Sequence, residues 1–111
     1  MNFFSLFKRK LIYNLKKKIS VDKDELNLNS LDALFHHYGS DKANIFKSTN
    51  KKGHGYSKFY EKNLEEFREK NINILEIGSY AGASAAAFTK YFPKSNIFCL
   101  DINISTFKYW S

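Results

Sequence analysis

The sequence predicts an α/β chain: helices first, then one β–α–β unit with parallel strands. Three observations carry this. Residues 72–77, INILEI, form a nearly continuous apolar, β-branched run, the pattern of a parallel strand buried on both faces. A glycine turn, GSYAGAS, then leads into AAAFTKYF, a strong helix former that Pro93 stops, because proline lacks the N–H and clashes with the preceding turn. Residues 96–102, NIFCLDI, supply a second apolar strand, and a parallel pair joined by a helix follows.

The chain has 111 residues, 43% apolar and 17% aromatic, which is too apolar for a disordered segment and enough for one small domain. A single cysteine excludes a disulfide framework and a cysteine-based zinc site, and it suits a reducing cytoplasm. No apolar run approaches the ~18 residues of a membrane span, and no secretory signal is expected.

The net charge of +7 is unevenly placed. Residues 1–20 hold Lys8, Arg9, Lys10, Lys16, Lys17 and Lys18 and no acid, which leaves twelve bases against eleven acids in the rest. In this stretch Phe4, Phe7, Leu11, Leu15 and Ile19 recur at three- and four-residue spacing, as on one helix face. The first reading is a terminal helix packed on the body or on a partner subunit, which leaves an oligomer open. The second is a helix lying on an anionic membrane surface, peripheral to the cytoplasm. Nucleic acid is not expected as a partner, because the body lacks a basic excess.

Residues 21–29, VDKDELNLN, read as a linker, so residues 1–29 form a basic helix plus linker and residues 30–111 the domain. Ser30 caps a helix whose buried face is Leu31, Leu34, Phe35 and Tyr38, and Gly39 ends it. Residues 39–56 lack a sustained period and read as a long loop. Residues 57–70 return to a helix, with Ser57 as cap and Glu66–Lys70 as a favourable pair. Cys99 reads as core. His36 and His37 point to different helix faces, so a shared metal is not expected. The last eight residues expose Phe107, Tyr109 and Trp110 with nothing further to pack on.

A glycine turn at a strand end lets backbone pass close beneath a ligand, and the next helix points its free N–H groups into the same crevice. Asp101 follows Gly78 by 23 residues, at the neighbouring strand end, where an acid accepts bonds from both ribose hydroxyls of an adenosine ligand. The spacing Gly78-x-x-x-Gly82 lacks the third glycine of the dinucleotide fingerprint, and Ala83-Ser84 lacks the lysine of a Walker loop.

The pattern acid-x-Gly-x-x-x-Gly with a second-strand acid resembles class I S-adenosylmethionine-dependent methyltransferases. The resemblance implies a Rossmann-like fold. It places Glu76, Gly78, Ser79, Tyr80 and Gly82 beside the methionine part of the cofactor and Asp101 on its ribose; Asn103, close to the adenosine end, is left outside that assignment. Upstream, Tyr38-Gly39-Ser40-Asp41-Lys42, His54-Gly55-Tyr56 and Phe59-Tyr60-Glu61 look like the sugar O-methyltransferase branch of macrolide and related glycoside biosynthesis. That branch implies a small-molecule acceptor, a sugar or glycoside hydroxyl, with Asp41, Lys42, His54 and Tyr56 in a loop closing over the crevice.

Residues 31–103 carry the resemblance. A parallel sheet of this type needs more strands, so the expectation is a truncated Rossmann-like domain that is not expected to act alone as an enzyme. In the resembled family the divalent-metal ligands and acid–base residues lie later, and none is assigned here. Two alternatives stay open: a non-catalytic nucleotide-binding or interaction module served by its basic tail, and another nucleotide-cofactor enzyme such as a dehydrogenase.

Overall fold

The structure, a computed structural model, describes residues 18–102 and 106–110, together with residues 3, 4, 7, 8 and 11. It is a mixed α/β chain. Among the described residues the elements run β1 (Ile19–Ser20), α1 (Leu31–Tyr38), β2 (Ile45–Phe46), β3 (Lys51–Lys52), α2 (Ser57–Leu64), β4 (Asn73–Ile77), α3 (Ala83–Tyr91), β5 (Asn96–Leu100) and β6 (Tyr109–Trp110). The strands pair as three two-stranded sheets: β1 with β6 and β4 with β5, both parallel, and β2 with β3, antiparallel.

Helix α1 forms as its sequence dictates. Ser30 Oγ accepts the Ala33 N–H at 3.1 Å, and Gly39 closes the helix at φ +77°. A second acceptor, Glu61 Oε1, takes the Leu31 N–H at 2.7 Å and ties α2 to the start of α1. Leu31, Leu34, Phe35 and Tyr38 are buried, each such side chain worth about 1.5–3 kcal/mol. They meet α3, whose Ala86 and Ala87 are small enough to let the two helices approach closely. Phe88, Tyr91 and Phe92 complete this core. Helix α3 ends at Tyr91, and Phe92, directly before Pro93, leaves the helical region at φ −114°, ψ +73°.

Several expectations are revised. Ser57 does not cap α2. It is the first helical residue, and its hydroxyl donates to Asp32 Oδ1 at 2.6 Å, which links α2 to α1. The helix expected over 57–70 is α-helical only to Leu64 and continues as a 3₁₀ turn over Glu65–Phe67. The expected loop 39–56 contains the hairpin β2–β3. Residues 21–29 are not a bare linker: Val21 is buried in the core, and Asp24 Oδ2 lies 3.0 Å from His37 Nε2.

Ile19, expected on a helix stripe, lies in β1 instead. The rest of that stripe can be followed only at Phe4, Phe7 and Leu11, which are helical and exposed; Leu15 lies outside the described residues. Cys99 is exposed rather than core. Tyr109 is not left unpacked. Its hydroxyl donates to the Tyr38 carbonyl at 2.6 Å and its ring meets Tyr38 edge-on at 5.2 Å.

The β4–β5 pair was expected to be buried on both faces. One face is covered, with Ile74 and Ile97 against the core. The other carries exposed Leu75, Ile77, Phe98 and Leu100, because the packed helices lie on the opposite side.

Two predictions follow from this packing. A Cβ on Gly53 would land on the Ala43 carbonyl oxygen and lie 2.8 Å from that of Asp41. Gly53→Ala therefore destabilises the fold by about 1–3 kcal/mol, measured by urea unfolding. Burial also pushes the Tyr38, Tyr60 and Tyr91 phenols above their ordinary value of 10.0. The folded form then holds these protons more tightly than the unfolded form. Their contribution is intact below about pH 10 and is lost as pH rises beyond it, so the thermal midpoint falls above that pH alongside tyrosinate absorbance.

Candidate functional site

The β4–α3 connection is a tight turn. Gly78 and Gly82 take φ of +81° and +80°, and Tyr80 between them also enters the left-handed region at +49°. A non-glycine residue there costs about 1–2 kcal/mol, so something must hold it. The Tyr80 N–H donates to Asp101 Oδ2 at 2.7 Å, and Thr106 Oγ1 donates to the Tyr80 carbonyl at 2.8 Å. The Gly82 N–H closes the turn on the Ser79 carbonyl at 2.8 Å, and buried Ser79 donates its hydroxyl to the Glu76 carbonyl at 3.2 Å. The Gly78 N–H reaches the Leu100 carbonyl at 2.7 Å, which fixes the two strand ends together.

At the end of β4, Glu76 is drawn into a polar cluster. Ser84 Oγ donates to Glu76 Oε1 in a short hydrogen bond. Lys42 Nζ donates to Ser84 Oγ at 3.4 Å and lies 3.8 Å from the same carboxylate oxygen. The side chains of Glu76 and Lys42 are only 11% and 24% exposed, so this is a half-dry ion pair. Glu76 Oε2 is buried and finds no hydrogen-bond partner among the described residues. The nearby carboxylate adds to burial in raising the Tyr60 phenol. A cleft of about 300 Å³ opens here, bounded by Lys42, Tyr60, Glu76 and Gly78 and backed by Phe88 and Phe92.

Lys42 reaches the cluster because its loop is stapled across its base. The His54 N–H donates to the Asp41 carbonyl at 2.7 Å, and the Tyr56 N–H to the Lys42 carbonyl at 2.9 Å. The same staple places Asp41, His54 and Tyr56 on the outside. His54 Nε2 lies 3.4 Å from Asp41 Oδ2, and the His54 and Tyr56 rings stack at 5.2 Å, all three residues exposed.

The expected residues therefore fall into three groups. Glu76, Gly78 and Lys42 share one cleft. Ser79, Tyr80, Gly82 and Asp101 build the turn itself. Asp41, His54 and Tyr56 form a separate exposed trio. Asn103 lies outside the described residues. Sequence reasoning missed Ser84 as a site residue and Tyr60 as part of the cleft wall. For Ser84 a signal existed: a polar residue in the first turn of a helix, between Ala83 and the apolar run Ala85–Phe88.

Helix α3 begins at Ala83, so its first N–H groups face the region of the turn. Residues 106–110 lie over the turn's other side. The Lys108 N–H donates to the Ala81 carbonyl at 3.0 Å, and the Phe107 ring would lie 3.4 Å from a Cβ on Gly82. No group of three or more His, Cys, Asp or Glu that could hold a metal occurs among the described residues, and none of their helices is long and apolar enough to cross a membrane. In comparison with known proteins, the chain matches no family model, no curated protein and no solved structure.

The cluster is testable without a ligand. Lys42→Met and Glu76→Gln, made singly and together, give a coupling of about 1 kcal/mol in a double-mutant cycle read by urea unfolding.

Proposed function

We propose that this chain binds S-adenosylmethionine as the cofactor part of a class I methyltransferase with a Rossmann-like domain, acting on a sugar or glycoside hydroxyl. The observation that carries the reading is Glu76 Oε2: a buried carboxylate oxygen without a hydrogen-bond partner among the described residues, beside a cleft at a strand's C-terminal end. An unpaired buried acceptor is costly, and a ligand ammonium such as that of a methionine moiety satisfies it.

The other parts fit the same ligand. Nothing lies within 4 Å of a Cβ built on Gly78, so the turn leaves room for close backbone approach. The bond from Tyr80 holds the Asp101 carboxylate at the neighbouring strand end, where a ribose diol would be read. Ser84 and Lys42 both approach Oε1 of Glu76 and so hold its carboxylate in one orientation. When bound, the cofactor would supply an electrophilic sulfonium methyl for transfer to the acceptor oxygen, its carbon–sulfur bond breaking as S-adenosylhomocysteine leaves. The residues described here position and anchor; the acceptor identity rests on the upstream resemblance, and no residue is assigned to deprotonate the hydroxyl.

Titration of the ¹⁵N-labelled chain with S-adenosylhomocysteine tests this. The expected result is shifts at Ser79–Gly82 and at Asp101, with Glu76→Gln weakening affinity about 10- to 100-fold while the spectrum stays dispersed. A dispersed spectrum that does not move at saturating ligand would falsify the reading and leave a non-catalytic module in its place.

A further inference from the structure

The N-terminal residues have a surface that the site does not use. Phe3, Phe4, Phe7, Lys8 and Leu11 are helical. All five are exposed, Phe3 to 80% and Phe4 to 83%, and the Phe3 and Phe7 rings stack at 6.4 Å. Large apolar side chains clustered in water mark an interaction surface. Their exposure also means that these side chains are not docked on the body, one of the two forms of the first expectation for this segment; the other was packing on a partner subunit.

Charge selects the occupant. Residues 1–20 carry six bases and no acid, whereas the remainder is almost balanced. The field of the molecule is thus concentrated at one end, and it draws that end toward a negative surface. We propose that residues 1–20 dock on an anionic lipid surface, with Phe3, Phe4, Phe7 and Leu11 entering the headgroup–acyl boundary and the lysines pairing with lipid phosphates. An apolar stripe edged by lysine and rich in phenylalanine is the chemistry of interfacial segments.

The competing occupants fit less well. A second copy would bring two +6 segments together, and like charges repel across such an interface. A single-stranded nucleic acid wants aromatic platforms along a basic groove of the fold. Here an aliphatic residue, Leu11, continues the phenylalanine row, and the body adds no net basic surface. The segment leads into β1, which pairs with β6, so docking would hold the folded body close to the lipid.

The test is co-sedimentation of the full chain with phosphatidylcholine vesicles, with and without phosphatidylglycerol. The expected result is partition onto the anionic vesicles that declines with added salt. Phe4→Glu with Leu11→Glu, and separately Lys8→Glu, should each reduce it by roughly tenfold or more. These positions are exposed, so circular dichroism of each variant stays that of the parent. The assay needs no S-adenosylhomocysteine, so its outcome is independent of the cofactor reading. Equal partition onto neutral vesicles, no sedimentation at low salt, or unchanged binding by the variants overturns the proposal. So does displacement of the vesicles by a single-stranded oligonucleotide, or a dimer that Leu11→Glu dissolves.

Discussion

The packing of three aromatic rings governs the rest of the structure. Phe35 of α1, Tyr60 of α2 and Phe88 of α3 meet edge-to-face, with centroids 5.5 Å apart for Phe35–Phe88 and Tyr60–Phe88 and 6.1 Å for Phe35–Tyr60. Edge-to-face contacts constrain orientation as well as distance, so one triangle sets the mutual rotation of three helices. Rotation of α3 decides whether Ser84 faces Glu76. The position of α2 decides whether Tyr60 walls the cleft. The polar cluster is therefore a consequence of the core, and a change at Phe88 would be felt four residues away at Ser84 before it was felt in the sheet.

Around the turn the structure gives up local comfort. Tyr80 sits in a conformation suited to glycine, Glu76 keeps one oxygen without a partner among the described residues, and Lys42 is largely withdrawn from water beside its other oxygen. The Tyr80 conformation is held by contacts from Asp101 and Thr106, whereas Ser84 and Lys42 approach only Oε1 of Glu76 and leave Oε2 unmet among the described residues. Unfavourable local choices tend to gather where a ligand must be met, because the rest of a fold has no reason to keep them.

Local chemistry was the part most readily read from the sequence. The Ser30 cap, the Gly39 stop, the buried face of α1 and the Pro93 break all depend on residues within a few positions of each other, and the two strands of the β4–β5 pair are each marked by their own apolar run. What escaped the sequence depends on distant partners. Ser57 resembles a cap until Asp32, from another helix, takes its hydroxyl. Ile19 continues a helical spacing, yet pairing with Tyr109 places it in a strand. Leu75, Ile77, Phe98 and Leu100 have the composition of a doubly covered sheet, but coverage is a property of what packs against them. In the candidate site, the Gly78–Gly82 turn was marked by its glycine spacing, whereas the contacts that Lys42 makes with Ser84 and Glu76 depend on the loop staple that brings residues 42 and 84 together.

The β1–β6 pair joins positions near opposite ends of the described chain with two residues on each side. Closing so long a loop carries a large entropic cost, and two rungs of ladder return little against it. This seam is the natural first point of local opening. Because β6 is continuous with the segment lying on the glycine turn, opening the seam uncovers the turn as well. Opening the seam would also part Tyr109 from Tyr38, so exposure of the turn is coupled to that edge of the core.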